Sequence, residues 1–377
     1  MFLFLTFALS SGVLAQEATP EAAPYTPAEV VTYREAYVFA GPGPTHQQVG
    51  ILRENVPVRV IERNNPGTWV RVQRVDGSGN VTLDGWIMSG YVQGRSALDF
   101  AAMPVTTLPD NRPEGAANGA MAAIYAAPVL PVISDAMVDV WWLGQALGND
   151  PNTITKVGDS LSAQHEYLEP MANPSRALNA YRTLAPVVDR FGASAGQTSV
   201  AAQIGMGSFT EFDPMWADPA RGCQPGEGPL VCEYRLKRPS IAFIMFGPND
   251  VRAISADVFQ QEMERIITTS LDNGVIPVVS TFAVHPNDEF LPQALLFNRK
   301  VIELANQYQI PLINLWAATR VLPNYGLDVD NIHLTMSGEN MLYYDGGNDA
   351  FSGVALHNLL SIATLQLIVD KIGSSAS

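Results

Sequence analysis

Three short stretches carry side chains suited to acyl transfer: Gly158-Asp159-Ser160-Leu161, Gly247-Pro248-Asn249-Asp250 and Asp330-Asn331-Ile332-His333. A serine hydroxyl is a poor nucleophile until a base removes its proton, and histidine is the side chain that does so near neutral pH. Ser160 is the candidate nucleophile and His333 the candidate base. Asp330, three residues before His333, can bond the imidazole nitrogen that faces away from the serine, fixing the tautomer and stabilising the imidazolium. A tetrahedral oxyanion then requires hydrogen-bond donors. The Ser160 N–H, the Asn249 side-chain amide and a glycine N–H from "QIGMGSF", which offers Gly205 and Gly207, are of the right kind. The bland reading of the first stretch is that Gly, Asp and Ser are ordinary turn residues ending a strand.

Residues so far apart in sequence need a framework that brings them together. From about residue 131 onward helical and strand patterns alternate. "TITKVGDS", "SIAFIMFG" and "VIPVVSTFAV" read as strands, the last two as continuous apolar runs of the kind buried on both faces of a parallel sheet, and "IPLINLW" as a further strand. Between and after them, "SRALNAYRTLAPVVDRF", "SADVFQQEMERIITTSLDNG", "PQALLFNRKVIELANQYQ" and "GVALHNLLSIATLQLIVDKIG" read as helices. "SDAMVDVWWLGQALGND" predicts an earlier helix with Ser134 as N-cap, Gly148 beyond its end, and Val138, Trp141, Trp142 and Leu147 on its apolar face. The expected fold class is α/β, a parallel sheet with helices on both faces, whose ligands sit beyond the carboxyl ends of the strands. All three chemical stretches fall at such ends.

The segment 28–97 has a different pattern. "VPVRVIERNN", "TWVRVQRV" and "LDGWIMSGYVQ" alternate apolar and polar residues between turn signals such as "AGPGP" and "NNPG", which predicts a small all-β barrel. Residues 98–130, rich in Ala, Pro and Gly, read as a linker to a domain at 131–373. The first fifteen residues form an uncharged apolar run ending Val13-x-Ala15 and read as a signal peptide; 16–27 read as an Ala/Pro/Glu tether. Export implies an oxidising compartment, so Cys223 and Cys232, bracketing a Pro/Gly-rich loop, are expected to form a disulfide. Beyond the leader no other uninterrupted apolar run approaches about 18 residues, so no integral membrane segment is expected after its removal. With 22 Lys plus Arg against 37 Asp plus Glu and no basic run, a nucleic-acid partner is not expected. Neither a metal nor another cofactor is expected.

The blocks "KVGDSL", "GPND" and "DNIH", in that order over residues 150–372, resemble the SGNH (GDSL) hydrolase family. The second block of that family, which supplies a glycine, is matched least well and falls at Gly205 or Gly207. The resemblance implies a serine carboxylic-ester hydrolase with Ser160, His333 and Asp330 as catalytic residues, and Ser160, Gly205 and Asn249 as the oxyanion hole. Separately, "YVFAGPGPTHQQVGILRENVPVRVIER…TWVRVQ…GWIMSGYV" resembles a bacterial SH3-type domain, which implies a cell-wall peptide or polysaccharide as partner. The reading that follows is a secreted or cell-surface esterase acting on a small or polymeric ester, with O-acyl groups on glycans or cell wall as the substrate. The alternatives are a non-catalytic wall-binding or glycan-binding protein on the same fold, and a lipid esterase. His285, after a strand end, and Gly207 are candidates for lining the substrate cleft. Asp159 and Asp250 read as loop-orienting residues, His165 as a surface helix residue, and His46 and His357 as structural or solvent-facing. Trp69 and Trp86 read as barrel core, and Trp216 either as packing or as an apolar lip.

Overall fold

The computed structural model describes residues 25–32, 36–42, 46–64, 69–92, 98–100, 102–106, 122–336, 341–344 and 347–375. The expected leader and most of the expected tether lie outside them.

The N-terminal part forms one six-stranded sheet from β1 (Ala28–Val31), β2 (Ala36–Phe39), β3 (Gln48–Leu52), β4 (Pro57–Arg63), β5 (Trp69–Val75) and β6 (Val81–Met88), in the order β1-β4-β5-β6-β2-β3 with every pairing antiparallel. Period-2 alternation buries Val58 and Val60 on β4 and Val70 and Val72 on β5, while at Trp69–Val70 and Trp86–Ile87 both neighbours are buried. Both tryptophans are therefore packing residues, and Phe39 meets the Trp69 ring edge-on at 5.7 Å. On the outer side Arg71 spans two neighbouring strands, bonding both carboxylate oxygens of Asp84 and one of Glu62.

The second sheet is parallel: β7 (Asp150–Gly158), β8 (Pro239–Met245), β9 (Ile276–Ser280) and β10 (Leu312–Ile313), ordered β10-β9-β8-β7. Every residue of β8 and β9 is buried. Successive side chains on a strand point to opposite faces, so both faces of the sheet are covered. The covering helices are α1 (Ala122–Ala126), α2 (Asp135–Leu147), α3 (Ser160–Ala163), α4 (Ala185–Ala195), α5 (Pro229–Lys237), α6 (Ala256–Asp272), α7 (Leu291–Tyr308), α8 (Leu315–Thr319) and α9 (Gly353–Ser375). Contacts join α2 and α4 to α9 in one group, and α6 to α7 in another. Among the described residues only α9 is long and apolar enough to cross a membrane, yet Gly353 through Leu365 are all buried in the fold, as in a core helix.

Several expectations change in detail. Ser134 does sit at the N-cap of α2, but its hydroxyl donates to the Gln309 carbonyl rather than capping the helix. Trp142 and Leu147 are each 52% exposed, because only the Met137, Val138, Trp141 and Gly144 stripe meets the sheet. The stretch "SRALNAYRTLAPVVDRF" is a 3-10 turn at Asn179–Leu184 followed by α4, with Pro186 inside the first turn of α4, though Leu178, Tyr181, Leu184, Val188 and Phe191 are all buried as expected. "IPLINLW" yields only a two-residue strand, since Asn314 turns the chain and its side chain caps α8 at the Ala317 N–H. The interval 98–130 is not all linker. Leu98, Phe100 and Met103 are buried, Val105 bridges to Arg63, and Ile124 of α1 is buried beside Asn314, whose amide donates to the Ile124 and Ala127 carbonyls.

Cys223 and Cys232 are joined, as expected, with their Cα atoms 5.2 Å apart. They form a small apolar cluster with Val200 and tie the loop that precedes α5 to that helix. Closing so short a loop contributes roughly 2–3 kcal/mol in the chain-entropy model. Cys223→Ser should therefore lower the unfolding free energy by about that amount in urea titrations, and added reductant should remove the difference from wild type.

Candidate active site

The nucleophile candidate stands where β7 stops. Gly158 has φ +155°, and a Cβ there would lie 2.3 Å from the Met245 carbonyl oxygen and from the Ser162 Oγ, so only glycine lets the strand turn against its neighbour. Asp159 then caps α3, accepting the Leu161 N–H at 2.9 Å. Ser160 is the first residue of that short helix, and its own N–H has no partner among the described residues. Gly158 also pairs with Ala202 on one side and Met245 on the other. The segments leading to Gly205 and Asn249 thus leave the sheet on either side of Ser160.

The candidate base arrives on a hairpin. Leu327 pairs with Leu334, the Asp328 N–H bonds the His333 carbonyl, and Asn331 takes a left-handed conformation at φ 59° to close the turn. His333 Nε2 lies 3.1 Å from Ser160 Oγ, and His333 Nδ1 lies 2.6 Å from Asp330 Oδ2. The other Asp330 oxygen accepts the N–H groups of Ile332 and His333, each at 2.9 Å. Partial burial alone would raise the Asp330 carboxyl, but the imidazole bond and the two backbone N–H groups hold it below the usual carboxylate range. Thr335 fastens the hairpin to the start of α9: its hydroxyl accepts the Gly353 N–H and its carbonyl accepts the Val354 N–H. Gly353 has no room for a side chain, since a Cβ would fall 2.1 Å from the Gly326 oxygen.

The candidate donors for an oxyanion lie in the loop after Ala202 and at the end of β8. Gly205 adopts φ +85°, is exposed, and has an N–H without a partner among the described residues. Gly207 is buried and extended, with Phe209 and the Asp250 carboxylate where a side chain would go. The Asn249 amide donates to the Met206 carbonyl at 2.7 Å, leaving its second N–H available. Asp250 braces the same loop by accepting both the N–H and the hydroxyl of Ser208. Its loop-bracing reading therefore agrees with the geometry, and Ser208 is a supporting residue that the sequence did not single out.

Behind the serine lies a buried acidic pair. Burial raises the Asp159 carboxyl to about 7, with the Asp250 charge adding to it and the Leu161 N–H and His333 opposing. Burial likewise raises Asp250, against the Ser208 hydroxyl and N–H. Among the described residues Asp159 Oδ2, Asp250 Oδ2 and the Ser162 hydroxyl have no hydrogen-bond partner.

The other histidines are placed as follows. His285 is half-buried, accepts the Asn287 N–H, and meets the Tyr325 ring edge-on at 5.3 Å. His165 is exposed as expected but lies in a turn rather than a helix, and it has a carboxylate partner, Glu169, at 2.7 Å. His357 is fully buried rather than solvent-facing; it stacks on Tyr167 at 4.2 Å, and burial lowers its pKa to about 3. His46 packs over Gly41. Trp216 is partly buried, with its ring beside Gly205. Among the described residues no group of three metal-ligating side chains converges.

Sequence and structure comparisons cover the two parts separately. Residues 34–93 match the bacterial SH3 domain. No curated protein matches the chain. Among solved structures, the crystal structure of TesA is 17% identical, covering 57% of this chain and 99% of that one at a TM-score of 0.37. A lipase/acylhydrolase from Enterococcus faecalis is 21% identical, covering 56% and 93% at 0.35. A GDSL-like lipase from Bacteroides thetaiotaomicron is 13% identical, covering 63% and 99% at 0.35.

The SH3 domain is bonded directly to the α/β part. The Tyr91 hydroxyl donates to the Val321 carbonyl at 3.0 Å. The Ser89 and Tyr181 hydroxyls bond one another, and Tyr181 donates onward to Asp349 at 2.6 Å. Arg182 reaches the Leu98 carbonyl. These contacts place the SH3 domain against the loop that precedes the Leu327–Leu334 hairpin.

Proposed function

We propose that the chain is an exported serine esterase that hydrolyses ester bonds through an acyl-enzyme on Ser160. The observation that carries this reading is the unbroken hydrogen-bonded chain from Ser160 Oγ through His333 to Asp330. In the first half-reaction His333 Nε2 takes the Ser160 proton as Oγ attacks the ester carbonyl. The Ser160 and Gly205 N–H groups and the free Asn249 N–H receive the developing oxyanion. The tetrahedral species collapses, the alkoxide leaves with the proton held by His333, and an acyl-serine remains. Water, deprotonated by the same nitrogen, then attacks the acyl carbon; the carboxylic acid departs and Ser160 recovers its proton. Asp330 holds the ring and balances its transient positive charge.

The preferred substrate class is an O-acyl ester on a glycan or cell-wall polymer. It is supported by the SH3 domain seated beside the triad hairpin and by the disulfide, which suits an oxidising compartment. A second reading, a lipid ester, is favoured by the apolar side chains near Gly205. Ile204 is 83% exposed and Met215, next to Trp216, is 91% exposed.

The mature protein treated with a fluorophosphonate probe should label at Ser160, and Ser160→Ala should abolish labelling while lowering turnover of p-nitrophenyl acetate by roughly 10⁴-fold or more. Faster hydrolysis of acetate than of butyrate and longer esters supports the glycan reading, and the reverse order the lipid one. A folded wild type that neither labels nor turns over would leave a non-catalytic binding protein.

A further inference from the structure

A cleft of about 360 Å³ lies between the SH3 domain and the loop after α8, lined by Tyr37, Tyr91, Arg320, Leu322, Asn324 and Tyr325. Arg320 is its unusual member. Its Nε donates to the Trp316 carbonyl and its Nη2 to the Val284 carbonyl, while the guanidinium lies against the rings of Trp316 at 4.6 Å and Tyr325 at 4.7 Å. It has no carboxylate partner, and Nη1 makes no hydrogen bond, among the described residues. In a chain of net charge −15, eight other arginines among the described residues lie within 4.0 Å of a carboxylate, whereas Arg320 is held partly away from water without one. Burial pulls its pKa down to about 10, which still leaves it charged at neutral pH.

Two further features belong to the same cleft. Asn324 and Tyr325 are consecutive left-handed residues at φ 46° and 58°, a conformation costing about 1–2 kcal/mol per residue that persists only where the surroundings hold it, often at ligand clamps. Across the cleft Tyr37 on β2 is 45% exposed and presents an unoccupied aromatic surface.

We propose that this cleft is a subsite for a carboxylate-bearing sugar unit of the substrate polymer. The free edge of the Arg320 guanidinium takes the planar carboxylate and the Tyr37 ring takes the face of the sugar. The planar fork matches a carboxylate in shape, and one cation balances one negative charge. The cleft volume falls in the range of small-ligand sites. Asn324 bonds the Leu327 carbonyl and Asn331 Oδ1, so the cleft wall and the hairpin carrying Asp330 and His333 are one piece of chain. A polymer held here therefore lies next to the triad hairpin. This subsite rests on the glycan-ester reading.

The test is binding without turnover. Ser160→Ala protein is titrated calorimetrically with a galacturonic acid trimer and, as the neutral control, xylotriose. The expected result is acid-trimer binding at least about ten-fold tighter than xylotriose, weakened by salt. Arg320→Gln and Tyr37→Ala, each placed on the Ser160→Ala background, should weaken it ten-fold or more. Should Arg320→Gln fail to fold, Tyr37→Glu, on the exposed barrel face, sets a carboxylate in the cleft and should abolish acid-trimer binding. Equal binding of the two sugars, no binding of either, or acid-trimer binding unchanged by the Tyr37 substitutions overturns the subsite. Fluorophosphonate labelling of wild type separates the two readings. Labelled protein without acid-trimer binding loses the subsite alone, and binding without labelling loses the esterase alone.

Discussion

Asp330→Asn should lower kcat for p-nitrophenyl acetate by about 10⁴-fold while leaving the protein folded. The carboxylate serves two sets of donors at once: Oδ2 accepts the His333 Nδ1–H and Oδ1 accepts two backbone N–H groups. An amide cannot do both. With its NH₂ toward the ring, it forces the proton onto Nε2, the nitrogen that must receive the Ser160 proton. With its oxygen toward the ring, the NH₂ faces the Ile332 and His333 N–H groups. Because the Asp330 side chain is 44% exposed, water can solvate the misfit and the cost to folding stays small. Stopped-flow or steady-state rates at pH 8, beside thermal melts, decide the matter. A loss under ten-fold in a folded variant would mean that Asp330 does not orient the base.

The second large effect is on stability, and its sign runs against the usual carboxylate. Asp159 has a pKa of about 7 when folded, against about 3.9 in the unfolded chain. Between those values the folded state holds a proton that the unfolded state has released, so unfolding grows easier as pH rises from about 4 to 7, and the loss stays constant above that. Its full size is roughly 4 kcal/mol from the difference in pKa. Asp159→Asn keeps an oxygen for the Leu161 N–H and carries no charge. It should therefore be more stable than wild type at pH 8 by up to about 4 kcal/mol, with the advantage gone at pH 4. Urea unfolding at the two pH values measures this directly. An advantage independent of pH would falsify the assignment of the buried charge to Asp159.

The parts of the site that were legible in the sequence are those set by strand ends. β8 and β9 are continuous apolar runs, so the points where Gly247-Pro248-Asn249 and the segment after Ser280 leave the sheet could be read without coordinates. Asp330 and His333 were legible because a three-residue spacing lets one hairpin turn hold both. The cysteine pair was legible because few residues separate its members. Local signals failed where a distant neighbour decided the outcome. Trp142 looked like part of an apolar stripe, but only one narrower face of α2 meets the sheet. "IPLINLW" looked like a long strand until Asn314, wanted by the Ile124 and Ala127 carbonyls, turned it into a helix cap. Leu98, Phe100 and Met103 sat in a composition typical of linkers yet found a core to fill. What distinguishes Gly205 from Gly207, a left-handed exposed turn against an extended buried position beside Asp250, lies in backbone angles that the sequence does not carry. The cleft at Arg320 was invisible from sequence because Tyr37 belongs to a different domain from Tyr325.

The bonds from Tyr91 to Val321 and from Ser89 to Tyr181 bear on how a long substrate is used. A module hung on a flexible tether only raises the local concentration of whatever it holds, and any point along the polymer can then reach the reactive serine. A module docked against the α/β part acts as a ruler. Under the proposed subsite, a chain gripped at Tyr37 would offer Ser160 the ester at one set distance along its length and skip the rest, so selectivity would come from spacing as well as from the pocket.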